Sequence, residues 1–125
     1  MGDTGAAADA TVVDDGAEVV TVLMTAPGTG AAAEVVGRLV EERLVACGNI
    51  LPGAVSIYRW EGEVHRDDES VVILKTTRRL LARVLARAEQ LHPYDVPELL
   101  VHEVADGAGA YLDWVRRECR PGAGG

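Results

Sequence analysis

The dipeptide Glu61-Gly62 constrains this chain more than any other feature, because extended segments run into it from both sides. Upstream, residues 54–60 alternate Val55, Ile57 and Arg59 with Ser56, Tyr58 and Trp60, the period-two pattern of a strand with two unlike faces. Downstream, residues 63–77 run back through Val71-Val72-Ile73-Leu74, a β-branched stretch suited to a pleated sheet. A two-residue connection ending in glycine joins such runs as a tight hairpin. Both arms exceed the ~5–6 residues of an ordinary strand. The charged stretch 63–69 has no place in a core, so the far end of the hairpin is predicted to project, with a bulge taking up the bend.

The remaining periodicities complete a topology. Residues 19–25 (VVTVLMT) are nearly all apolar, as in a strand at a sheet centre, and Pro27-Gly28-Thr29-Gly30 ends them. Val35, Val36, Leu39, Val40, Leu44 and Val45 recur at helical spacing; this helix is expected to start at a Thr29 N-cap and stop near Cys47-Gly48. Leu80, Leu81, Val84, Leu85, Ala88 and Leu91 mark a second helix, with Arg79, Arg83 and Arg87 toward water, and Pro93 forbids its continuation. Residues 92–97 form a rigid connector, 98–104 a fourth strand and 110–119 a last helix. Right-handed crossovers then favour a four-stranded antiparallel sheet, order 4-1-3-2, with both crossover helices on one face. This is the ferredoxin-like split βαβ of the α+β class. Its other face stays open and partly apolar, which is expected to be buried in an oligomer.

At 125 residues the chain is one domain. Residues 1–17 read as a disordered acidic tail, 18–119 as the domain and 120–125 as a flexible tail. Asp3, Asp9, Asp14, Asp15 and Glu18 fall in the first 18 residues with no basic residue, so the net charge of −8 belongs largely to the tail. No basic patch with interleaved aromatics appears, which argues against nucleic acid. No apolar run approaches the ~18 residues of a spanning helix, and the N-terminus lacks a secretory pattern. Cys47 and Cys119 form no CxxC motif and are expected to be reduced thiols. The expectation is a cytoplasmic protein without a membrane partner.

Signals for catalysis are absent. Gly28 and Gly30 follow a strand but lack the Lys-Ser/Thr of a phosphate loop, and there is no Gly-x-Ser-x-Gly. Acylphosphatase shares the strand order, yet its first loop needs an arginine, and residues 26–30 carry no cation. The chain is read as not an enzyme.

Six stretches carry a resemblance: VVTVLMTAP, ERLVACGNILPG, SIYRWEGE, VVILKTT, HPYDVPELL and YLDWV. In this order and spacing, across residues 19–115, the sequence resembles the CutA divalent-cation-tolerance family. The resemblance implies a tight homotrimer whose long hairpins cross neighbouring subunits, a cytoplasmic role in copper or other divalent metal ion tolerance, and no established reaction. Similarity to the PII signalling architecture implies an alternative, a small-molecule-sensing module with ligand clefts between subunits. Copper-binding relatives carry a cysteine at the position of Met24 and a histidine pair at the positions of Leu91 and His92, so His92 and the soft thioether of Met24 are the candidate ligands for weak metal binding.

Each candidate residue also has a plain structural role. His92 reads equally as a ligand and as a ring capping the preceding helix. Trp60, at the hairpin tip, is expected to anchor another copy of the chain. Lys75 and Glu98 are placed at an inter-subunit cleft, where a salt bridge between them is the simpler reading. Tyr94 is expected to pack its ring and hydrogen-bond its hydroxyl. Trp114 shares a helix face with Tyr111, as core packing first and cleft wall second. Cys47 reads as a core residue, Cys119 as a surface thiol, and His65 and His102 as solvated strand residues.

Overall fold

The computed structural model describes residues 15–120. Among these, the elements run β1 (Val19–Ala26), α1 (Thr29–Glu41), β2 (Cys47–Trp60), β3 (Glu63–Thr77), α2 (Leu81–Leu91), β4 (Leu99–Glu103) and α3 (Gly109–Glu118). The sheet order is β2-β3-β1-β4 with every pair antiparallel, which is the expected 4-1-3-2 order read from the other edge. The fold is therefore the ferredoxin-like α+β arrangement. Alternation along β1 and β3 sends Val22, Met24, Ala26, Val72 and Leu74 into one core with Ala32, Val35 and Leu39 of α1 and Val84 and Ala88 of α2.

Both boundaries of α1 differ from the sequence reading, each for a local reason. Thr29 is the first helical residue of α1 and not its cap; extended Gly28 holds the cap position, with no side-chain cap bond. The helix also ends at Glu41, well before Cys47. Arg43 takes φ 61°. Its N–H donates to the Val40 carbonyl at 3.0 Å and the Leu44 N–H donates to the Leu39 carbonyl at 3.0 Å. This is a Schellman closure with arginine where glycine is usual. The apolar contact that accompanies such closures falls to Leu39 and Leu44, both buried, so Leu44 and Val45 serve the core without being helical.

Turning the chain early lets β2 begin at Cys47, seven residues before the predicted start at Ala54. The bulge lies at the root of the arm and not at its charged far end. Leu51 pairs with Val71 and Ala54 with Glu69, so β2 spends one extra residue at Pro52-Gly53, where Gly53 has φ 85°. Beyond the bulge the parity of β2 is inverted: Ser56, Tyr58 and Trp60 pair with Asp67, His65 and Glu63, on the sheet face opposite α1 and α2. The turn Glu61-Gly62, both residues at positive φ, closes the hairpin. Because β1 reaches only to Ser70, residues 54–69 pair with each other alone and form a two-stranded arm.

Of the predicted tails, residues 1–14 and 121–125 lie outside the described residues. Asp15–Ala17 forms a 3-10 turn, and the Ala17 carbonyl accepts a bond from Arg116 Nε at 2.9 Å.

Candidate functional site

At the root of the arm the sheet carries a groove of about 580 Å³. Thr25 comes from β1, one residue before its end; Ser56, Ile57, Tyr58 and Trp60 come from β2, Glu69 from β3, and Tyr94, Asp95, Val96 and Glu98 from the connector between α2 and β4. The bulge makes this possible, since it brings Tyr58 and Trp60 to the same face as Glu69.

The connector is held across the sheet by a chain of polar contacts. His92 leaves the helix with ψ 141°, as a residue before proline must. Its Nε2–H donates to the Thr25 carbonyl at 2.7 Å, and its Nδ1 accepts the Tyr94 N–H at 3.0 Å. The His92 and Tyr94 rings lie 4.8 Å apart. Tyr94 donates its hydroxyl proton to Glu69 Oε2 at 2.7 Å. Burial first, and then the carboxylate it serves, push the Tyr94 phenol well above the ordinary tyrosine range, so it stays a donor. Glu69 is only 8% exposed. Nearby, Tyr58 donates to Asp67, which raises its phenol as well, and its ring stacks on His65 at 5.4 Å.

Three of the predicted cleft residues, Trp60, Tyr94 and Glu98, meet in this groove. Lys75 does not join them: its ammonium donates to Asn49 and not to Glu98, so the expected salt bridge is replaced by a bond along the sheet. Trp114 is also elsewhere, half-buried against the core with its ring 5.5 Å from that of Tyr111, which is the packing role. Met24 is fully buried among core side chains. His92 is the C-cap residue of α2 through its backbone N–H, which donates to the Ala88 carbonyl, but its ring does not cap the helix; both ring nitrogens are committed to β1 and to its own connector. Among the described residues, no three His, Cys, Asp or Glu side chains are arranged to hold a metal ion.

Other expectations are corrected too. Cys119 is buried, not a surface thiol, and burial raises its thiol. Cys47 is half-buried, with its Sγ 3.5 Å from the Tyr111 hydroxyl; that contact, then burial, pushes the Tyr111 phenol up to about 12. Sequence reasoning missed Tyr58 and Glu69 as site residues. Tyr58 was within reach, since it alternates in step with Trp60, whereas Glu69 lies in a charged run that reads as solvated.

A split βαβ sheet bearing a long two-stranded arm defines the class as ferredoxin-like. Residues 20–118 match the CutA1 divalent ion tolerance protein family, and the chain belongs to that family. The divalent-cation tolerance protein CutA of Thermus thermophilus is 47% identical over 95 residues, 76% of this chain and 92% of the relative. The crystal structure of CutA from Xylella fastidiosa superposes with TM-score 0.80 at 36% identity, covering 82% of this chain and 99% of that one. A periplasmic divalent cation tolerance protein CutA from Archaeoglobus fulgidus gives TM-score 0.79 at 29% identity, covering 82% and 99%.

Proposed function

We propose that this chain is a non-catalytic, homotrimeric protein of divalent metal ion tolerance in the cytoplasm, which binds copper or another divalent ion weakly, with His92 as the ligand. Family membership supports the role in cation tolerance. The observation that carries the weakness is the state of the His92 ring. To bind a metal it must give up either the 2.7 Å bond to Thr25 or the 3.0 Å bond from Tyr94, and that loss offsets part of any coordination energy. Met24 would contribute only through opening of the core, because its thioether has no exposed surface. Two free cysteines agree with a reducing compartment, and no helix among the described residues is long and apolar enough to cross a membrane. The trimer is supported by the arm, whose Ile57, Trp60 and Val64 are all exposed.

Titration calorimetry with Cu(I), Cu(II) and Zn²⁺ on wild type and His92→Ala tests the ligand, with the imidazole resonances of His92 followed by NMR. Binding should weaken about tenfold or more in the variant and perturb the ring resonances in the wild type. Equal affinities, or a ring unmoved at saturation, reject His92. A second reading is favoured by the groove itself: a sensing module that takes a small molecule between the arm and the connector.

A further inference from the structure

We draw no further inference here: the strongest candidate, the side-chain cluster at the start of β2 where the Cys47 thiol lies 3.5 Å from the Tyr111 hydroxyl and opposite Lys75 of β3, carries nothing because it is a single cysteine beside groups that bond within the cluster, and among the described residues no second observation points to a ligand there.

Discussion

Arg43 shows how a single backbone angle can redirect an element. At φ 61° a residue with a Cβ costs on the order of 1–2 kcal/mol that glycine avoids. The side chain offers partial compensation: its guanidinium reaches the Glu118 carbonyl at 3.3 Å and the Glu118 carboxylate at 3.2 Å, tying the end of α1 to the end of α3. Both partners are largely exposed, at 45% and 43%, so the ion pair contributes only about 0–1 kcal/mol. Arg43→Ala should lose the pair and keep the strain, whereas Arg43→Gly should lose both. Urea unfolding is expected to place the glycine variant about 1 kcal/mol above the alanine variant and close to wild type. A glycine variant less stable than alanine would mean that Arg43 is not strained. The same residue explains why the helix end was illegible in the sequence: the usual glycine is missing, and Leu44 and Val45 continue the apolar spacing.

At the scale of elements the bulge decides what the arm presents. One extra residue at Pro52-Gly53 inverts the parity of β2, so that the aromatic side chains meet Asp67 and His65 across the hairpin. Deletion of Gly53 should restore simple alternation and carry Val55, Ile57 and Arg59 to the groove face in their place. Spectrophotometric titration of the tyrosines checks this. In the wild type the Tyr58 phenol is held above its ordinary 10.0 chiefly by its bond to Asp67, and the deletion should return one tyrosine to the ordinary range. An unaltered titration would show that the bulge does not set the facing. The hairpin and its alternation were readable from period-two patterning alone. The bulge was expected at the wrong end, because charge density marked residues 63–69 while the insertion is visible only once β2 and β3 are placed in register.

The whole molecule leaves one sheet face and most of the arm uncovered. Leu51, Ile57, Trp60, Val64 and Leu100 are each about half exposed or more, and a two-stranded ribbon alone is at best marginally stable in water. Covering these residues with further copies of the chain would remove the apolar surface and support the ribbon together. Light scattering is expected to give three times the 13.2 kDa chain mass, and Trp60→Asp should shift the population toward smaller species, since a central aromatic anchor contributes about 2 kcal/mol or more. A single-chain mass at micromolar concentration would reject the trimer.

The kinds of element, their order and the strand order were fixed by the sequence alone, because hydrophobic periodicity and turn residues act over a few positions and crossover handedness leaves few arrangements. The groove was decided by tertiary structure. Its contacts join residues far apart in the chain, as when His92 bonds to Thr25, 67 positions away, and Tyr94 to Glu69, 25 away. No local pattern marks a glutamate for burial or commits both nitrogens of an imidazole. Those outcomes depend on which donors the folded chain brings alongside.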